Sequence, residues 1–290
     1  MKILFLSDLH LDHWADAGLD PLAAVPQSTW DQVEALFIVG DLTNAPEVGW
    51  PRVFNHVGRY VPLDRVTVTP GNHDYYKFCL DGDDRLAAIA TEAGVTFAQK
   101  AEILLGGCRI LCCTLWTDFA LTGERETARG MAMSEAGAQM NDYRYIRIGN
   151  EDFRRATPAD TARVHADHRA WLEDRLAQPF DGATIVATHH APHPDCLVPP
   201  LSRLDAAYAS DLSDLIMAHE PAAWIYGHTH TPRAFSVGQT QLRNVSLGYP
   251  YQVPDAEIAT QLLQGLAEVG NGRFALTPID GRSVDPEAEA

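Results

Sequence analysis

Short apolar runs closed by Gly, Pro or a polar cluster recur along the first part of the chain. Lys2 to Leu6 breaks into Ser7-Asp8-Leu9-His10, Val33 to Val39 ends at Gly40-Asp41, and Arg65 to Thr69 stops at Pro70-Gly71-Asn72-His73-Asp74. Runs of this length with no polar alternation predict strands buried on both faces. Helical spacing lies between them, around Trp50 to Tyr60 and in Asp84 to Ala93, where Leu86, Ile89, Ala90 and Ala93 mark one face. Ala101–Leu105 and Cys108–Thr114 read as two strands joined at Gly106-Gly107. Thr161 to Leu176 predicts a helix, with Val164, His168, Trp171, Leu172 and Leu176 in register. Ala183–Thr188 and Ala222–Tyr226 are further strands, ending at His189-His190 and Gly227-His228-Thr229-His230, with a helix over Asp211–His219 between them. Arg233–Val237 and Thr240–Val245 form a hairpin across Gly238-Gln239. The stretch from Thr117 to Glu151 is irregular and is expected to be a helical excursion or a lid.

Strand and helix alternate without repeats or a low-complexity linker, which predicts one α/β domain over residues 1–284, its strands forming a sheet pair or sandwich under helices. An acidic tail, 285–290, is expected to fray. At 290 residues and 46% hydrophobic content the chain can bury a sizeable core, and disorder is excluded as its dominant state. No apolar run reaches the roughly 18–20 residues of a membrane span, and the first strand lacks the pattern of a signal peptide. Against 22 Lys and Arg stand 39 Asp and Glu, a net charge of −17. That field opposes phosphate backbones and anionic membrane surfaces, so neither nucleic acid nor membrane is expected as a partner. The five cysteines are odd in number and lack metal-finger spacing, which points to a reducing, cytoplasmic setting.

Polar residues gather at five strand ends: Asp8-Leu9-His10, Gly40-Asp41, Gly71-Asn72-His73-Asp74, His189 and Gly227-His228-Thr229-His230. Pockets of α/β proteins form at the carboxyl ends of strands. Carboxylate, imidazole and amide oxygen together suit a divalent metal such as Mn, Fe or Zn. In Asp-x-His and His-x-His, alternate residues of an extended chain would address one centre. Without a metal, burying four histidines and two aspartates together would leave polar groups unpaired at high cost.

The order of these motifs, from residue 3 to about 250, resembles the calcineurin-like metallophosphoesterase superfamily, which includes protein phosphatases and cyclic-nucleotide phosphodiesterases. The resemblance implies a four-layer α/β/β/α sandwich with a dinuclear metal centre at one edge. Asp8, His10, Asp41 and His230 would hold one ion, and Asp41, Asn72, His189 and His228 the other, with Asp41 bridging. His73 matches the family's catalytic histidine. A metal-bridging hydroxide would attack phosphorus in line, and two divalent ions would outweigh the carboxylates to attract an anionic substrate.

Where the protein-phosphatase branch continues Gly-Asp with Asp and Arg, this chain has Leu42-Thr43-Asn44-Ala45. Losing that Arg tilts the expectation toward phosphodiesters of small molecules, because a monoester dianion gains more from a guanidinium. The Gly-Asn-His-Asp form and the second histidine of His189-His190 also resemble the bacterial phosphodiesterase branch. The competing readings are a broad phosphomonoesterase and a catalytically silent scaffold. Asn44, Arg144 and His190 are candidate substrate contacts, with Arg203 a further guanidinium that could fold over the site. Asp12 and His13 are expected on the rim, His193 in packing, and Asn244 and Tyr249 in structural roles. Trp116, Asp118, Asn141, Asp142 and Tyr143 would form either a substrate wall or an exposed insertion. His56, His165, His168 and His219 are expected at the surface or half-buried.

Overall fold

The computed structural model describes residues 1–123, 125–149 and 153–278; the tail expected to fray lies outside the described residues. Period-two patterning explains the layers. In strand β1 (Lys2–Leu6) and strand β2 (Val33–Val39), Ile3, Phe5, Phe37 and Val39 point to one side, and Leu4, Leu6, Leu36 and Ile38 to the other. The first set packs between two sheets, where the rings of Phe5 and Phe37 stack with centroids 5.0 Å apart. The second set packs on helices carrying Trp14, Trp50, Phe54, Leu86 and Ile89. Strands with both faces covered are continuously apolar, as the sequence shows.

The chain continues through β3 (Val66–Thr69), β4 (Thr96–Phe97), β5 (Ala101–Leu105), β6 (Cys108–Cys113), β7 (Thr184–Thr188), β8 (Ala223–Tyr226), β9 (Ala234–Val237), β10 (Thr240–Asn244), β11 (Leu266–Gly270) and β12 (Arg273–Leu276). One sheet has the order β12-β11-β1-β2-β3-β4 and the other β5-β6-β7-β8-β10-β9. The central strands of both are parallel; β4 also pairs parallel at one edge, and the remaining edges, β11-β12, β5 and β9, are antiparallel. The second sheet's outer face is covered by helices 158–177 and 213–219 through Leu172, Leu176, Leu215 and Ile216. Two sheets between helices make the expected four-layer sandwich.

The sequence reading left β11 and β12 unassigned. Their signal is the Asn271-Gly272 turn, with both residues at positive φ, flanked by alternating Ala267, Val269 and Phe274, Leu276. His165 and His168 also depart from expectation: both are buried, on the inner face of helix 158–177. The Nδ1 of His168 accepts the Leu115 N–H at 3.1 Å, and the Nδ1 of His165 lies 3.3 Å from the Trp116 carbonyl. These bonds satisfy the backbone beyond β6, where Leu115 and Trp116 have left-handed φ and cannot continue the ladder. The stretch 117–149 contains helices Glu126–Gln139 and Asp142–Tyr145, and it turns Gln139, Met140 and Asn141 toward the strand ends described next.

Candidate metal centre

Parallel strands of both sheets release their carboxyl ends at one edge, where the sheets are stitched together. Ser7 beyond β1 pairs with Ser246 beyond β10, and the Ser246 hydroxyl donates to Asp8 Oδ2 at 2.7 Å. Asp8 Oδ2 also accepts the His228 N–H, at 2.9 Å. One carboxylate thus holds residues 220 and 238 positions further along the chain.

Asp8 and His10 do not converge by extended alternation, nor do His228 and His230. All four are left-handed, with φ of 54°, 40°, 65° and 48°, and Asp41 joins them at 58°. Non-glycine residues in this region cost on the order of 1 kcal/mol each, and tight turns of this kind cluster at functional sites. Side-chain space is equally restricted. A Cβ on Gly71 would fall 2.3 Å from Asp41 Oδ1, and one on Gly227 would fall 2.5 Å from Asp8 Oδ2.

Hydrogen-bond chemistry decides where each imidazole lone pair points. His189 Nδ1 faces the Val39 carbonyl at 3.0 Å and must donate, so in the neutral ring the Nε2 lone pair is free. That Nε2 lies 3.0 Å from Asn72 Oδ1 and 3.4 Å from Asp41 Oδ1, both acceptors. The Asn72 amide is held in this sense because its Nδ2 donates to Asp142 Oδ1 at 2.8 Å. His230 repeats the device. Gln252 Oε1 accepts the Tyr249 N–H at 2.8 Å and, on its other side, the His230 Nδ1–H at 2.8 Å. His230 Nε2 then faces Asp8 Oδ1 at 3.0 Å and His10 Nε2 at 3.2 Å.

Two groups of ligand atoms therefore converge, and in the neutral rings of His189 and His230 the inward Nε2 carries a lone pair. Asp8, His10 and His230 form one, Asp41, His189 and His228 the other, each with donor atoms within 4.8 Å of one another. Asp41 lies between, with Oδ1 toward His189 and Oδ2 3.7 Å from His10 Nε2. His10 Nδ1 and His228 Nε2 are buried without a hydrogen-bond partner. Such a donor set fits a pair of divalent cations. Protonation answers the same field. Burial alone would lower the His189 pKa, yet Asp41 and Asp8 lift it to about 9; burial and the charge on His189 press His228 down to about 3. Burial would raise the Asp8 carboxyl, and His230 holds it well below the ordinary range.

Asp74 supports this edge from beneath. Its buried carboxylate accepts N–H bonds from Asp41 (2.8 Å), Gly71 (2.9 Å), Leu42 (3.2 Å) and the Trp50 indole (2.8 Å). Burial and the nearby Asp41 push its pKa up to about 7, against the pull of those donors. Asp74→Asn is expected to lower stability by on the order of 3 kcal/mol, because an NH2 would face N–H groups that have no other acceptor. A shift of the urea midpoint with unchanged slope would show it; an unshifted midpoint would contradict this account.

His73 borders the two groups of ligand atoms, offering a ring nitrogen within 4.8 Å of donor atoms of His10 and Asp41, but both of its ring nitrogens face other partners. Its N–H donates to Asp41 Oδ1 at 2.8 Å, and its ring packs on Tyr76 at 4.1 Å. Asn44 Nδ2 donates to Asp12 Oδ2 at 2.7 Å, so Asn44 Oδ1 accepts the His73 Nδ1–H at 3.1 Å. His73 Nε2 is left facing the pocket, 3.4 Å from the Tyr249 hydroxyl.

The candidate substrate contacts are placed unevenly. Asn44 holds His73. Arg144 is exposed and donates to the Ala138 carbonyl and Asn141 of its own segment, and neither it nor Arg203 lines the pocket. His190 is buried behind the site, with Nδ1 3.2 Å from the Thr114 carbonyl and its ring 4.2 Å from that of His228. Tyr249, expected to be structural, stacks on His10 at 4.3 Å and lines the pocket. Asp142, expected in a substrate wall or an exposed insertion, is instead a buried support of Asn72, and sequence reasoning missed two further supports, Gln252 and Tyr208, the last stacked on His228 at 4.9 Å. No local pattern marks them, because each acts through a residue at least 20 positions away. Asp142→Ala is expected to weaken metal binding roughly 10–100-fold by freeing the Asn72 amide to rotate. Titration with a metal-competing chelator measures this; unchanged affinity would show that Asp142 serves only Tyr76, whose hydroxyl donates to it at 2.7 Å.

An uncharacterized protein, L509, from Acanthamoeba polyphaga mimivirus is 25% identical over 280 residues, 87% of this chain and 93% of that one. The crystal structure of phosphopantetheinyl hydrolase from Mycobacterium tuberculosis superposes with a TM-score of 0.65 at 20% identity, covering 87% of this chain and 90% of that one. A dimetal phosphatase from Danio rerio superposes at 0.53 with 14% identity, covering 94% of both chains. Both structures share the fold. Residues 1–232 match the model of the calcineurin-like phosphoesterases, and with most of its length inside that match this chain belongs to that family.

Proposed function

We propose that this protein is a dinuclear metal-dependent phosphodiesterase acting on small molecules. The observation that carries the choice of diester is the lining of the metal pocket. Around its 380 Å³ stand Asp41, His73, Tyr76, Asn141, Tyr249 and Gln252 among others, and no Lys or Arg among the described residues. A monoester dianion would leave its extra charge without a guanidinium or ammonium partner there, whereas a diester monoanion needs fewer. A phosphopantetheinyl hydrolase and a dimetal phosphatase among the structures of this fold support the hydrolase class.

Asp8, His10, Asp41 and His230 would hold one divalent ion, and Asp41, Asn72, His189 and His228 the other. Ions of the Mn, Fe or Zn type would supply a nucleophile from water near neutral pH and draw charge from the phosphoryl oxygens. Asn44 keeps the Nδ1 proton of His73 in place and leaves Nε2 toward the pocket, from where it would deliver a proton to the departing oxygen. The oxygen of water would join phosphorus as the bond to the leaving oxygen breaks, that oxygen would take the His73 proton, and the proton lost by the attacking water would restore His73. One water is consumed, and a monoester and an alcohol are released. All five cysteines are free and four are buried, which supports the cytoplasmic assignment; no helix among the described residues is long and apolar enough to cross a membrane.

Manganese-loaded protein is expected to hydrolyse bis(4-nitrophenyl) phosphate at least tenfold faster than 4-nitrophenyl phosphate. A faster monoester would overturn the diester reading. Loaded protein inert toward both would favour a scaffold.

A further inference from the structure

Beside the metal pocket lies a second, larger hollow of about 600 Å³. The rim between them is built by Asn44, which holds His73 at 3.1 Å, and His13, whose ring is 5.0 Å from Tyr249. Its wall is amphiphilic. Leu19 and Val48 line it while remaining 46% and 57% exposed, a cost in water that a bound apolar group would remove. Arg52, from helix Pro46–Val57, and Lys77, on the loop after His73, line it as well.

These two cations stand in a chain of net charge −17, where several others are committed to carboxylates. Arg85, Lys100, Arg169 and Arg175 each pair with a carboxylate. Among the described residues, the side chains of Arg52 and Lys77 have no hydrogen-bond or ion-pair partner. Of the two carboxylates in the same wall, Asp12 is engaged by the backbone and side-chain N–H groups of Asn44. Asp16 alone is uncommitted against the two cations.

We propose that this hollow receives the leaving-group arm of the diester, a chain with an apolar stem that ends in an anionic group. The direction rests on the function proposed above: the leaving oxygen takes its proton from His73, so the arm attached to it departs over the Asn44 rim. The stem covers Leu19 and Val48, and the terminal anion meets Arg52 and Lys77. This places the positive charge absent from the metal pocket some distance along the substrate, where it selects the alcohol and leaves the phosphoryl group to the metals.

The test compares two diesters sharing a methyl group on the other side of phosphorus, one releasing hexanol and the other 6-hydroxyhexanoate, with products separated by chromatography. The wild-type, manganese-loaded protein is expected to favour the carboxylate arm by at least tenfold in kcat/KM, mainly through KM. That preference should shrink in 0.5 M salt, because exposed charges are screened. In the double variant Arg52→Gln/Lys77→Gln, at two exposed positions, the ratio should fall to about one. A preference unchanged by the double substitution, or no preference in the wild type, overturns the arm assignment alone. If neither these diesters nor bis(4-nitrophenyl) phosphate is hydrolysed by loaded protein, the diesterase reading falls and takes the assignment with it.

Discussion

Asp41→Asn is expected to remove metal from both sites and to cut turnover by at least about 10³-fold. Asp41 faces both groups of ligand atoms, with Oδ1 3.4 Å from His189 Nε2 and Oδ2 3.7 Å from His10 Nε2. Asparagine keeps the shape but offers one oxygen and one NH2, and the NH2 would face a cation. The fold should survive. Asp41 and Asp8 are both buried and repel each other, so removing one carboxylate relieves repulsion as well as attraction to the histidines. Elemental analysis after gel filtration, alongside thermal unfolding of the metal-free protein, separates the two effects. Two bound equivalents and full turnover in the variant would remove Asp41 from its bridging role.

His73→Ala should behave differently. Metal content is expected to stay at the wild-type level, since His73 Nε2 faces the Tyr249 hydroxyl and its Nδ1 is tied to Asn44. Turnover of a dialkyl phosphodiester should fall about 10²–10⁴-fold, the usual contribution of a positioned acid. A nitrophenyl diester should lose far less, because nitrophenolate departs without a proton. The contrast between the two leaving groups is therefore the measurement that matters. An equal loss on both would mean that His73 orders the site through its N–H bond to Asp41 and transfers no proton. Asn44→Ala should show a weaker version of the same contrast, since the imidazole would be present but free to change tautomer.

Much of this centre was legible in the chain. Asp8, His10, Asp41, Asn72, His189, His228 and His230 each end or follow a run of buried strand residues, and strands deliver their ends to one edge. Extended alternation was expected for Asp-x-His and His-x-His, yet all four residues are left-handed turns. That strain is imposed by contacts from elsewhere, such as the Asp8 N–H donating to the Gly40 carbonyl at 3.0 Å and the His228 N–H donating to Asp8. No local propensity predicts it. Tyr249 shows the same limit in another form: its spacing marks only a loop, and its stacking on His10 depends on a fold closing across 239 positions.

The amino-acid order alone determined the strands, the layers and the types of ligating atom, because burial periodicity and donor chemistry are properties of short segments. Only the tertiary structure decided which imidazole nitrogen is free, why Asn72 presents its oxygen, and that Arg144 and His190 stand away from the pocket while Arg52 and Lys77 line the hollow beside it. Those outcomes depend on hydrogen bonds and packing between distant segments, whose partners are chosen when the two sheets meet and cannot be read from neighbours in the chain.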